Sequence, residues 1–200
     1  DGNLWAWGYN LYGQLGNGTD GFNNDSNVPV RVAGLSNVQQ IAAGSNHSLA
    51  ITADGNLWAW GNNRYGQLGN GTAGFGLNNN SNVPVRVAGL SNVQQIAAGL
   101  DHSLAITADG NLWAWGGNGF GQLGDGTNND SNVPVRVAGL SNVQQIAAGS
   151  NHSLAITADG NLWAWGDNFD GQLGDGTTTS SSVPVRVAGL RATQQTSLVR

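Results

Sequence analysis

IAAGSNHSLAITADGNLWAWG, residues 41–61, reads as three short strands and the two turns that join them. IAAG (Ile41 to Gly44) is a strand of small residues, suited to a place where backbones crowd together. HSLAIT (His47 to Thr52) alternates, with Leu49 and Ile51 on one face and Ser48 and Ala50 on the other. Asp54-Gly55 marks a tight hairpin, and NLWAWG then sets Trp58 and Trp60 on one face by the period of two. A long loop leads to VPVRV, a fourth strand whose Pro84 is best tolerated at a sheet edge and whose Arg86 blunts that edge. AGLSNVQQ returns the chain to the next IAAG. Nothing in the unit sustains a helical period.

The unit recurs. DGNLWAWG begins at Asp1, Asp54, Asp109 and Asp159, and VPVRVAGL at Val28, Val83, Val133 and Val183. A repeat of this length means stacked supersecondary units that bury their cores against one another. Four short antiparallel strands with two apolar faces describe a propeller blade. The expected fold is therefore all-β, a β-propeller array of four-stranded antiparallel blades with about four repeats in the chain. Residues 1–200 read as one array: a half blade at 1–35, full blades at 36–90, 91–140 and 141–190, and a degenerate tail at 191–200. In that tail RATQQTSLVR aligns with SNVQQIAAGS but loses its apolar pattern.

The letters also match a known family. IAAGSNHSLAI at Ile41, IAAGLDHSLAI at Ile96 and IAAGSNHSLAI at Ile146 resemble the signature of the regulator of chromosome condensation repeat. WGxNxxGQLGxGT, at Trp7, Trp60, Trp115 and Trp165, resembles that family's next segment. The resemblance implies a β-propeller, usually of seven blades, used mainly for protein recognition. One relative is a nucleotide exchange factor for a small GTPase, another a propeller-shaped inhibitor of β-lactamases. The near-identity of the copies suits a bacterial-like, recently amplified or engineered array.

Composition narrows the classes. The chain has no Cys, Met, Lys or Glu, 32 Gly and only 10% charged residues, which disfavours a helical solenoid and removes thiolate zinc sites. A net charge of −5 argues against a nucleic-acid or anionic-membrane surface. No apolar run reaches membrane-spanning length. The absent initiator Met and the mid-blade beginning suggest a chain processed, excised or engineered, or a fragment of a longer propeller. Because open sheet edges are sticky, the main expectation for assembly is a homodimer closing one ring of about eight blades.

Along a blade the chain runs up, down, up, down, so the loops after strands one and three share one face. The turns TADG and AGLSN share the opposite face and are letter-identical in every full unit. Nearly all variation before the tail falls on the first face. After strand one the variable segments read Ser45-Asn46, Leu100-Asp101 and Ser150-Asn151. After strand three YNLY, NNRY, GNGF and DNFD, from Tyr9, Asn62, Gly117 and Asp167, share only their Asn. All eight Trp lie in the invariant third strand, where they are expected to fill the blade-to-blade core, whereas every Tyr and Phe lies in a variable loop. Aromatics among Asn, Gly and Ser on loops of a rigid frame make a recognition surface. The candidate binding residues are Tyr9, Leu11, Tyr12, Phe22, Asn62, Arg64, Tyr65, Phe75, Leu100, Asp101, Phe120, Phe169 and Asp170.

Other chemistry is set aside. His47, His102 and His152 occupy one position in each repeat, which fits a side chain bonded to nearby backbone better than a catalytic base. Arg31, Arg86, Arg136 and Arg186 repeat likewise and solvate the outer strand. Asp125 to Asp130 and the run Asp167, Asn168, Asp170 lack calcium-loop spacing. GNGT and GDGT lack the Lys and helix of a phosphate loop. The expectation is a non-enzymatic binding or scaffold module with a protein or glycan partner, and no catalytic residue, metal or cofactor. The alternatives are an enzyme regulator, as exchange factor or inhibitor, and a purely structural propeller.

Overall fold

The computed structural model describes residues 2–191, apart from the side chain of Arg191, so 192–200 of the degenerate tail lie outside it. Its elements are strands β1 (Trp5–Gly8) and β2 (Ser26–Arg31), then β3 (Val38–Ala43), β4 (His47–Thr52), β5 (Leu57–Gly61) and β6 (Ser81–Arg86). The pattern repeats as β7 (Val93–Ala98), β8 (His102–Thr107), β9 (Leu112–Gly116) and β10 (Ser131–Arg136), and again as β11 (Val143–Ala148), β12 (His152–Thr157), β13 (Asn161–Gly166) and β14 (Ser181–Arg191). One 3-10 turn, Leu77–Asn79, sits in the loop before β6. β1 and β2 form a two-stranded sheet, and each later group of four forms an antiparallel sheet in chain order. This is the all-β propeller architecture expected from the repeats.

The first strand of each blade is longer than IAAG alone. Val38 pairs with Thr52 and Gln40 with Ile51, and the shift between them leaves Gln39 as an extra residue. The additional glutamines stitch neighbouring inner strands together. Gln40 Oε1 accepts from Ile96 N–H at 3.0 Å, and Gln95 Nε2 donates to Gln144 O at 2.6 Å.

Packing between blades follows the alternation of the strands. Leu49, Ile51, Leu57 and Ala59 face forward onto Ala105 and Trp115 of the next blade. Ala50 and Trp60 face back onto Val32 and Leu35. The forward face of the third blade meets the back of the fourth in the same way, with Leu104, Ile106 and Leu112 against Ala155 and Trp165.

Each seam has a polar lock inside that apolar layer. Trp60 Nε1–H donates to Gln14 O, Trp115 to Gln67 O and Trp165 to Gln122 O, all at 2.9 Å. Ser48, Ser103 and Ser153 hydroxyls donate to the same three carbonyls at 2.8 to 3.0 Å. The second Gly of the first three GQLG segments must be Gly because a Cβ on Gly16, Gly69 or Gly124 would stand 2.6 to 2.8 Å from the next indole. Those glycines also have φ between 63° and 67°, which side chains resist.

The expected tryptophan core is divided three ways. Trp60, Trp115 and Trp165 are at most 2% exposed. Trp58, Trp113 and Trp163 are half-buried and donate to the hydroxyls of Thr52, Thr107 and Thr157. Trp5 and Trp7 are 51% and 64% exposed, because β1 has no preceding blade against it among the described residues. The repeated arginines are tethered as well as solvated. Arg31, Arg86, Arg136 and Arg186 donate to the side-chain oxygens of Asn3, Asn56, Asn111 and Asn161.

Truncating Trp115 removes a filled core volume and leaves Gln67 O with one of its two donors. Trp115→Ala is expected to cost about 3–5 kcal/mol in urea unfolding, and Trp7→Ala well under half of that.

Candidate functional site

The variable segments meet on one face because backbone bonds bring them there. Asn62 N–H donates to Asn46 O and Gly117 N–H to Asp101 O at 2.8 Å, and Asp167 N–H to Asn151 O at 2.9 Å. Each long loop then reaches over the seam: Gly18, Gly71 and Gly126 N–H groups donate to Asn82, Asn132 and Ser182 carbonyls.

The Asn that all four loops share is their pin. Asn10, Asn63, Asn118 and Asn168 are fully buried. The Asn63 Oδ1 accepts from Leu68 N–H, and its Nδ2 donates to both Thr72 oxygens. The Asn63 backbone N–H is capped by Asn80 Oδ1, and the equivalent caps are Asp25, Asp130 and Ser180. Sequence reading passed over this capping row. Its signal was an oxygen-bearing side chain immediately before the Ser that starts each outer strand. Asp125 and Asp130 thus serve different bonds: Asp125 accepts from Thr127 while Asp130 caps Asn118.

With the pins buried, about half of the candidate letters around them point outward. Phe22, Phe75 and Phe169 are 82%, 78% and 68% exposed, and Tyr9, Arg64 and Asp170 are also exposed. Leu11, Tyr12, Tyr65, Leu100, Asp101 and Phe120 are half-buried. Three groupings form. Tyr9 and Tyr12 meet edge to face at 6.3 Å, and Phe120 meets Phe169 from the next blade at 6.0 Å. Arg64 lies over Phe75 at 4.4 Å and over Tyr65 at 5.1 Å, a double cation–π contact. Asn62 is placed differently from the others. It is buried, and its Oδ1 accepts from Arg64 N–H and Gln67 Nε2, so it shapes the loop from inside. Gln67 Nε2 also donates to Asp101 Oδ1 across the seam. Burial raises the Asp101 pKa, Arg64 opposes the rise and Asp130 adds to it.

On the opposite face the turns are uniform. Asp54, Asp109 and Asp159 each accept from the Thr two residues before and the Asn two residues after, bonds that hold their carboxyls below the usual carboxylate range. Asn37, Asn92 and Asn142 supply left-handed backbone there, at φ 53°.

A family model described as the RCC1-like domain matches residues 1–199. The chain belongs to the RCC1-like domain family. Over 117 residues this RCC1-like chain is 39% identical to the ultraviolet-B receptor UVR8 of Arabidopsis thaliana, covering 58% of the chain and 25% of UVR8. It superposes on the crystal structure of human WBSCR16 with a TM-score of 0.81 and 31% identity, covering 94% of this chain and 48% of that one. For yeast RCC1 (Prp20), solved bound to Kap60, the TM-score is 0.80 at 29% identity, with 94% and 45% covered. The chain therefore spans a quarter of UVR8 and less than half of either crystallised relative.

Two of the three repeated histidines of this RCC1-like array have a different partner from the one expected. Instead of nearby backbone, His47 Nε2 meets the Ser103 hydroxyl of the next blade at 2.9 Å, and His102 Nε2 meets Ser153 at 3.0 Å. Since each Ser hydrogen goes to a Gln carbonyl, the imidazole is the donor, and its buried Nδ1 has no partner. The Gly of IAAG makes room for this ring: a Cβ on Gly44 would sit 2.5 Å from His47 Cε1. Burial lowers the pKa to about 4 at His47. It lowers His102 to about 3, helped there by the neighbouring histidines.

A histidine whose folded pKa is depressed binds its proton more readily in the unfolded chain. Stability from the two seams is therefore complete above about pH 7 and falls as pH drops from 6.5 toward 4. At pH 5 the loss is about 2 kcal/mol per histidine. Comparing urea midpoints at pH 7.5 and pH 5 checks this, and an unchanged midpoint contradicts it.

Proposed function

We propose that this RCC1-like chain is a non-enzymatic protein-binding module that recognises its partner through the loop face. The observation that carries the reading is the exposure of Arg64, Phe75, Phe169 and Tyr9 on loops whose backbones are pinned by buried asparagines. Rigid, exposed aromatic and arginine side chains are the groups that supply hot-spot energy at protein interfaces. Because the pin is buried and identical, the outer letters can change without cost to the blade. The yeast relative in complex with Kap60 supports a protein over a glycan as the partner class.

Peptides selected from a random phage-displayed library on the 200-residue chain provide a partner for the test. Replacing Arg64 and Tyr65 together with Ala is expected to weaken the best binders by about 2 kcal/mol or more. Ser91→Arg with Ser141→Arg, on exposed turns of the other face, should leave affinity unchanged. The reverse pattern places recognition on the uniform face and overturns the reading.

Assembly is a separate proposal. The inner edge of β1 is unpaired among the described residues, and a second copy closing the ring would cover it. Light scattering of the purified chain is expected to give twice the monomer mass of 20.6 kDa, and a clean monomer overturns the dimer.

A further inference from the structure

The two faces of the array differ in charge as well as in variability. Eight of the aspartates fall within segments 9–25, 100–101, 117–130 and 167–175 of the loop face, against Arg64 as its one described arginine. On the other face Asp54, Asp109 and Asp159 are balanced by the four arginines bonded to the turn asparagines. A surface of this kind attracts cations in general. The rings decide which cation it holds.

Arg64 is an internal example of the fit. Its guanidinium covers both Phe75 and Tyr65, and it acts on the Asp101 carboxylate beside them. The loops of the later blades offer the same elements without a resident arginine. Phe120 and Phe169 pack edge to face, and Asp167 and Asp170 flank Phe169 in the chain. At the other end Tyr9 and Tyr12 form a similar pair near Asp25, which caps Asn10. Among the described residues no arginine lies over either pair.

We propose that the loop face takes an arginine-rich segment of a partner protein, with guanidinium groups seated on the Phe120–Phe169 and Tyr9–Tyr12 pairs beside their carboxylates. This rests on the loop-face reading and adds the chemistry of the partner. Arginine is favoured over lysine because a guanidinium is planar, weakly hydrated and stacks on aromatic faces, whereas an ammonium keeps its water. Charge brings either residue to the face, and only the rings distinguish them.

Titration of the 200-residue chain with octa-arginine and octa-lysine peptides near physiological salt tests this. Octa-arginine is expected to bind about tenfold more tightly, from a few stacked contacts together. Phe169→Ala with Asp170→Asn changes two exposed side chains, whose residues bond to the loop through their backbone N–H groups, and should reduce that preference by about half on a logarithmic scale, since the Tyr9–Tyr12 pair remains. Equal binding of the two peptides, no binding, or a preference untouched by the double variant overturns the proposal. Binding of a neutral oligosaccharide such as chitohexaose in place of octa-arginine also overturns it, in favour of a glycan partner. Hydrogen exchange on the octa-arginine complex separates the two levels of inference. Protection over 117–130 and 167–180 supports both, and protection over the turns at 53–56 and 108–111 refutes the loop-face reading itself. Phage-selected peptides that bind the loop face but lack arginine refute the partner chemistry alone.

Discussion

The carbonyl of Gln67 receives two hydrogen bonds from the next blade, one from the Trp115 indole and one from the Ser103 hydroxyl, and the rest of the array is organised around that acceptor and its repeats. A peptide oxygen inside an apolar layer has to be satisfied, and here both lone pairs are. The donors come from two adjacent strands, β8 and β9, so the acceptor fixes the next sheet in translation and in tilt. Gln67 also belongs to the long loop that carries Arg64 and Tyr65. The bond that aligns the blades is therefore the bond that positions the candidate recognition residues. Ser103 in turn accepts from His47, which ties the second strands of adjacent blades, β4 and β8, into the same network.

Much of this was legible in the sequence because it repeats. Period-two alternation in HSLAIT and NLWAWG was enough to assign Leu49, Ile51, Ala50 and Trp60 to their two faces, and Asp-Gly pairs marked the hairpins. Pairing across blades was less visible. Nothing local in IAAGSNHS says that His47 reaches a serine 56 residues away, since the partner is set by how sheets stack. Nor does GQLG show by itself that its last glycine yields to an indole. The buried position of Asn62 was missed for a related reason: a variable letter was read as an outward letter. In blade two that position turns in to meet Gln67, while at Tyr9 the same position stays exposed.

The contrast between the two faces separates scaffold from candidate site in physical terms. Asp54, Asp109 and Asp159 are each held by several bonds within one turn, which leaves little room for other letters. The loop face satisfies its backbone through buried Asn63 and its equivalents, and so releases the exposed positions from structural duty. Conformational cost is met in the pinned framework, which leaves exposed rings on anchored loops. A preorganised surface of this kind loses little entropy when a partner arrives.

The seam locks have a direction. Indole and hydroxyl donors always lie on the back of a blade, and the carbonyl acceptor always lies on the front. A front can be matched only by a back, so no single junction between two such arrays is self-complementary, and a ring of two copies closes through two identical front-to-back junctions. Any joining along them is head to tail and rotates the same way at every step. It ends in a closed ring when the angle permits, or continues as an open superhelix when it does not.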